Sequence, residues 1–462
     1  MAPAGALGKP RPSGEVQGLG NDDMQTTLRS HSNTNLSART YGNSSMASVT
    51  TGTPKPFEIS VPDSKISELN SKLANATFPT EVQGAEWTMG SPLADIKRIA
   101  TYWHKNFSWR KAEKKLNSYP QYTVPIQVPG WEELEIHFLH QRSERPNAIP
   151  LLFIHGWPGS YYEVLKMLPL LTDPKDPNLP AFHVVAPSLP GYAWSEYPFS
   201  KPGFGLKQHA EVLHGVMKAC GYEKPGYVTQ GGDWGGFLTR LVSKYYPESC
   251  KAVHTNFPIH FFPRPWKNPI CFLQAIAGIA LSSEVRAGLA HTQKYMSEGD
   301  GYLKEQDTKC QTLGYSLTDS PVGLLAWIYE KLHIWSDAYP WTEEEVCEWI
   351  SIYAFSREGA MTSTRIYWES NHPVGEGAMS RMDVINMHVA NVPLALAYFP
   401  NEIAKLPYCW AHSQGPVVQQ TTYDVGGHFA AFEVPQLLAG DLRKLFGKGG
   451  ACEGIVPGQR GF

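Results

Sequence analysis

Apolar residues run without interruption through Ile149–Ile154 and stop at His155-Gly156. Phe182–Pro187 repeats the pattern before Pro190-Gly191, and residues 226–230 lead into Gly231-Gly232-Asp233. A helix-like stretch at 238–246 precedes another apolar run at 253–257. Short apolar strands that end in Gly-rich turns and alternate with helical periods predict an α/β fold, its parallel sheet covered on both faces. The pattern breaks between about residues 261 and 386. There, helical periods at 272–280, 322–333 and 342–353 and several Trp residues predict an inserted helical lid. Sheet signals resume at 392–399 and 417–423.

Upstream, residues 63–73 predict an amphipathic helix capped by Asp63, and 93–107 predict another. Residues 122–128 and 134–139 alternate as strands do. The first 54 or so residues are rich in Ser, Thr, Asn and Gly and carry no hydrophobic period. Such a segment buries too little apolar surface to offset its ordering entropy. The division read from the pattern is a disordered tail over 1–55, an N-terminal module over 56–147 and a first core part over 148–260. The lid over 261–386, a second core part over 387–446 and a C-terminal tail over 447–462 complete it.

Composition narrows the classes. A chain of 462 residues that is 42% hydrophobic and 18% charged is expected to form a large soluble core. Its net charge of -3 and the lack of a long basic run argue against nucleic acid or an anionic membrane as partner. No stretch approaches the roughly 18 consecutive apolar residues of a spanning helix, and no apolar signal core opens the chain. The seven cysteines, Cys220, Cys250, Cys271, Cys310, Cys347, Cys409 and Cys452, are scattered and odd in number. They predict neither a metal cluster nor a disulfide framework, and so a reducing, cytoplasmic compartment.

The chemistry concentrates in four places. Gly231-Gly232-Asp233-Trp234-Gly235-Gly236 has the Gly-x-nucleophile-x-Gly form of the strand-to-helix elbow of α/β-hydrolases. A carboxylate stands where esterases carry Ser. It is ionised near neutral pH, so it needs no base to attack, and it suits displacement at an sp³ carbon. A capping Asp in a Gly-rich turn is the ordinary alternative for the hexapeptide taken alone. His428, after Gly426-Gly427, follows the last strand signal and is a candidate base for the water that frees the resulting ester. Glu402, in Phe399-Pro400-Asn401-Glu402, could hold its tautomer, although an isolated Glu is more often a solvated loop charge. Nucleophile, acid and histidine occur in the chain order of this fold. His155-Gly156-Trp157-Pro158-Gly159-Ser160 occupies the loop that supplies an oxyanion N–H, which assigns the backbone N–H groups of Trp157 and Trp234 to the oxyanion hole.

These motifs, with Asp319-Ser320-Pro321-Val322-Gly323-Leu324 and Gly427-His428-Phe429-Ala430-Ala431-Phe432-Glu433, resemble those of microsomal-type epoxide hydrolases, nearer the soluble fungal forms. The likeness spans about residues 56–446, and the module over 56–147 resembles the N-terminal epoxide hydrolase domain. It implies opening of an oxirane to a diol through an ester on Asp233, without metal or organic cofactor. It also implies two lid tyrosines that donate to the epoxide oxygen. The segment Ser363-Thr364-Arg365-Ile366-Tyr367 places one at Tyr367, and Gly301-Tyr302-Leu303 the other at Tyr302, with Tyr295 its nearest competitor. Glu402 stands where some relatives carry Asp. The partner implied is a small epoxide, and a homodimer is compatible with the likeness. Detoxification and a biosynthetic step both remain compatible roles. Two other readings stay open at this point: a haloalkane dehalogenase using the same Asp and His, with Trp234 on the leaving halide, and a catalytically silent binder on a retained hydrolase fold.

Overall fold

The computed structural model describes residues 49–462. Its centre is a twisted sheet whose strands are β1 (Thr50–Thr51), β2 (Lys55–Pro56), β3 (Gln121–Gln127), β4 (Glu133–Gln141) and β5 (Ile149–Ile154). β6 (Phe182–Pro187), β7 (Tyr227–Gly231), β8 (Cys250–Thr255), β9 (Leu394–Tyr398) and β10 (Val417–Thr422) complete it. The order is β1-β3-β4-β6-β5-β7-β8-β9-β10, with β2 also on β3. From β6 to β10 the neighbours are parallel. These strands are buried almost throughout, which is why they read as apolar runs rather than as alternation. β10, at the edge, alternates between half-buried and exposed positions instead.

The upstream module is not a separate body. β3 and β4 pair antiparallel, and β4 continues the sheet onto β6. Its helices Leu93–Lys105 and Trp109–Leu116 lean on the lid: Trp103 Nε1 donates to Ser351 Oγ at 3.0 Å, and Lys115 Nζ pairs with Glu348 at 2.6 Å. The first helix, Asp63–Ala74, starts one residue earlier than a cap at Asp63 requires; Pro62 is its N-cap and Asp63 lies in the first turn.

Two further expectations need correction. The disordered tail expected over 1–55 does not reach residue 55: Thr50–Thr51 and Lys55–Pro56 pair with β3, and Val49 is buried. Two-residue strands added to an edge are held by main-chain bonds to their neighbour, so they leave no hydrophobic period to read. Residues 1–48 of that tail lie outside the described residues. At the other end, residues 447–462 are docked. Gly461 exchanges main-chain bonds with Ala181 and Asn147, Arg145 Nη1 donates to its carbonyl, and Cys452 and Val456 are buried.

Between β8 and β9 the chain is helical, from Pro269–Leu281 to Arg381–Ile385. Among the described residues no single helix is long and apolar enough to cross a membrane. Pro269–Leu281 and Ser283–Gly299 reach that length and composition only together, across a 94° bend.

The core also encloses histidines. Burial pushes His137 and His260 down to about 3 and His155 and His209 down to about 4. They stay neutral in the fold while the unfolded chain takes up protons as pH falls through about 6.5. Each therefore contributes stability above that pH which is lost on acidification towards pH 4, at about 1.4 kcal/mol per pH unit. Four together can consume a typical 5–15 kcal/mol within a few pH units, roughly. Thermal melts followed by circular dichroism are expected to show Tm falling steeply between pH 6.5 and 4.5. A flat profile would show that these imidazoles are hydrated in solution.

Candidate active site

β7 ends at Gly231, and the helix Trp234–Tyr245 begins three residues later. Asp233 sits at the bend between them with φ 49° and ψ -125°, a conformation that side chains rarely adopt. The bend fits because the glycines beside it bring no side chain into the crowded space there. A Cβ on Gly235 would fall 1.9 Å from the Ile154 carbonyl oxygen, so only glycine lets the new helix start against β5.

The two oxygens of Asp233 have different partners. Oδ1 accepts the Trp157 N–H at 2.8 Å, and Oδ2 lies 3.5 Å from His428 Nε2. The Trp157 loop is held from the lid side, where Trp349 Nε1 donates to the Pro158 carbonyl and Tyr353 Oη to that of Gly159, each at 2.5 Å. Trp234 is the first residue of its helix, so its N–H has no intrahelical acceptor and stands at the positive end of the helix dipole. His155, which opens the loop motif, is structural: its Nε2 accepts the Leu189 N–H at 3.1 Å.

His428 and Glu402 come from separate loops that meet through a parallel bridge between Asn401 and Gly427. His428 Nδ1 lies 2.6 Å from Glu402 Oε1, which also accepts the Ile403 N–H at 2.7 Å. Both side chains are buried. Burial on its own lowers the imidazole's proton affinity, but the carboxylates of Glu402 and Asp233 outweigh it and hold the group well above its ordinary value. The imidazole is thus arranged to face an anionic Asp233.

The lid closes over this line. The Trp157 ring stacks on Tyr302 (5.3 Å, 11°) and meets Tyr367 edge-on (5.7 Å, 88°). Trp234 meets the other side of Tyr367 at 4.8 Å. Both tyrosines are buried, and burial, with the nearby charge of Asp233 adding to it, holds their phenols well above the ordinary range. Both phenols keep their protons. Tyr302 Oη and Tyr295 Oη lie 2.9 Å apart, so the competitor for the Tyr302 role proves to be its hydrogen-bond partner. All five side chains singled out in the sequence, Asp233, Glu402, His428, Tyr302 and Tyr367, therefore meet at one place.

Residues 54–164 match the family description epoxide hydrolase N terminus, and residues 149–274 match alpha/beta hydrolase fold. Epoxide hydrolase 1 of Sus scrofa is 32% identical over 85% of this chain and 88% of its own length. Juvenile hormone epoxide hydrolase 1 of Ctenocephalides felis is 34% identical, over 84% of each chain. The solved structure of Aspergillus niger epoxide hydrolase, 32% identical, covers 85% of this chain and 95% of that one with a TM-score of 0.73. The chain belongs to the epoxide hydrolase family.

This epoxide hydrolase-family chain also uses groups that the motifs did not single out. Glu433 Oε1 accepts the Phe429 N–H at 2.9 Å and Oε2 the Asp337 N–H at 2.7 Å, tying the His428 loop to the lid. Burial pushes its carboxyl up to about 7. The Trp335 carbonyl accepts the His428 N–H at 2.9 Å, and a Cβ on Gly427 would strike that same carbonyl. Glu433 lies within a quoted motif and was readable as part of it. Trp335 carried no signal, because its contribution is a main-chain oxygen. Lys304, which follows the Tyr302 segment, pairs with Asp300 one turn back, at 2.8 Å.

Proposed function

We propose that the enzyme opens an epoxide to a vicinal diol through a covalent ester on Asp233, hydrolysed by water that His428 activates. The observation that carries this reading is the unequal engagement of the two Asp233 oxygens. Oδ1 is bound by a fixed main-chain N–H, while Oδ2, among the described residues, is met only by the His428 imidazole, at 3.5 Å, and is the oxygen left to attack. Oδ2 forms a bond to a ring carbon, the ring C–O bond breaks, and the alkoxide takes a proton from Tyr302 or Tyr367. Oδ1 is left as the ester carbonyl, already against the Trp157 N–H, and the Trp234 N–H completes the hole.

The raised proton affinity of His428 fits this order. Two carboxylates cause it, and ester formation removes the charge of one. The imidazole then falls towards its ordinary range and becomes a competent base only after alkylation. It takes one proton from water, the hydroxide bonds to the Asp233 carbonyl carbon, and collapse expels the diol oxygen, which takes that proton from the imidazolium. The remaining hydroxyl proton restores the tyrosine, so the sum is epoxide plus water to diol. Glu402 keeps Nε2 directed at the carbonyl.

A single turnover in ¹⁸O-labelled water tests the route. Label is expected in the Asp233 carboxyl and not in the first diol released. Label in that diol alone would mean direct attack by water. Halide release from bromoalkanes without diol from epoxides would favour dehalogenation, and tight epoxide binding without turnover a silent scaffold.

A further inference from the structure

The loop 155–160 contains two glycines that each face a carboxyl. A Cβ on Gly156 would run into Asp233, and a Cβ on Gly159 would run into Glu163 Oε1. Two acidic side chains therefore flank the same short loop. Glu163 belongs to the turn Tyr161–Val164, whose start is fixed by Ser160: its Oγ accepts the Tyr162 N–H at 3.2 Å and its carbonyl the Glu163 N–H at 3.1 Å. The carboxyl of Glu163 lies within hydrogen-bonding reach of the Ser160 and Gly156 main chain, and it interacts electrostatically with both His428 and Asp233. From the lid side, Tyr353, whose hydroxyl holds the Gly159 carbonyl, lies within electrostatic range of it. No salt bridge to a lysine or arginine is found for it among the described residues.

We propose that Glu163 is a positioning residue for ester hydrolysis: its carboxyl oxygen, lodged at Gly159, accepts one hydrogen of the attacking water while His428 Nε2 accepts the other. Two acceptors fix the water's orientation and leave a lone pair directed at the Asp233 carbonyl carbon. One proton passes to His428 and the hydroxide bonds to carbon; Glu163 neither gains nor loses a proton. Burial, with His428 opposing it and the negative charge of Asp233 adding to it, pushes the Glu163 carboxyl up to about 8, which favours its neutral form near pH 7. A neutral carboxyl suits the position, because a second anion beside Asp233 would oppose the oxyanion that forms there.

The inference rests on the ester route above, and its test separates the two. Pre-steady-state kinetics with a simple aryl epoxide would resolve ester formation from ester breakdown, with intact-protein mass spectrometry reading the ester. Glu163→Ala is expected to form ester at close to the wild-type rate but break it down roughly 10- to 100-fold more slowly, the effect of one lost hydrogen bond in a buried site. Glu163→Gln retains an acceptor oxygen and is expected to recover most of that loss at pH 7. Burial of Glu163 persists in the ester form, so the wild-type breakdown step is expected to decline at alkaline pH as Glu163 ionises, and Glu163→Gln to lack that decline. Unchanged breakdown in Glu163→Ala would overturn the proposal. So would equal losses in both steps that Gln does not restore, the signature of a collapsed loop. Absence of any ester in the wild type would instead sink the route itself.

Discussion

His428→Gln enzyme, mixed with a simple epoxide, is expected to gain the mass of one substrate molecule and then stop. Asp233 needs no base to attack, so the first bond still forms. Glutamine can fill the imidazole's place and hydrogen-bond to Glu402, but it cannot take a proton from water near neutral pH. Ester therefore accumulates, and steady-state turnover falls by roughly 10²–10⁴-fold, the range for loss of general-base catalysis. Proteolysis and mass spectrometry should locate the added mass on the peptide that contains Asp233. Asp233→Ala should take up no mass and release no diol. Wild-type turnover in His428→Gln would remove imidazole from the chemistry, and mass on any other peptide would move the nucleophile.

Replacing both lid tyrosines should impair the opposite half of the cycle. In Tyr302→Phe/Tyr367→Phe enzyme the leaving alkoxide has no phenol to take a proton from, and ester formation should slow by roughly 10²–10⁴-fold. Ester that has already formed should break down at the ordinary rate, since the proposed route assigns that step to His428. The rings stay, so their packing against Trp157 and Trp234 is kept and the fold should be undisturbed. Tyr295→Phe is the informative control. It removes the group 2.9 Å from Tyr302 Oη without removing either donor, and it should cost far less. If Tyr295→Phe costs as much as Tyr302→Phe, the two hydroxyls share the role. If the double replacement changes only breakdown, the tyrosines are misassigned.

Much of the candidate site was legible in the sequence, for a local reason. The turn at 231–236 needs small residues because the strand and helix meet without room for a Cβ, and that demand is written directly as Gly-Gly-Asp-Trp-Gly-Gly. The buried strands β5, β6 and β7 were legible because burial on both faces enforces an unbroken apolar run. Chain order then separated Glu402 and His428 from the other Glu and His residues.

What the order of residues could not decide is whatever depends on two distant segments touching. Glu163 reads as one helical-turn glutamate among many until the fold sets its carboxyl against Gly159. Tyr295 and Tyr302 compete on sequence, and only the close approach of their hydroxyls makes them partners. The N-terminal helices look self-contained until Trp103 and Lys115 bond to the lid, some 230–250 positions onward. The sequence by itself determined the strand-to-helix elbow, its carboxylate and the apolar strands, because steric and hydrophobic demands there fall on neighbours in the chain. The tertiary structure alone decided which charges face His428 and which partner each oxygen of Asp233 meets, because electrostatic interaction depends on separation in space and not on distance along the chain.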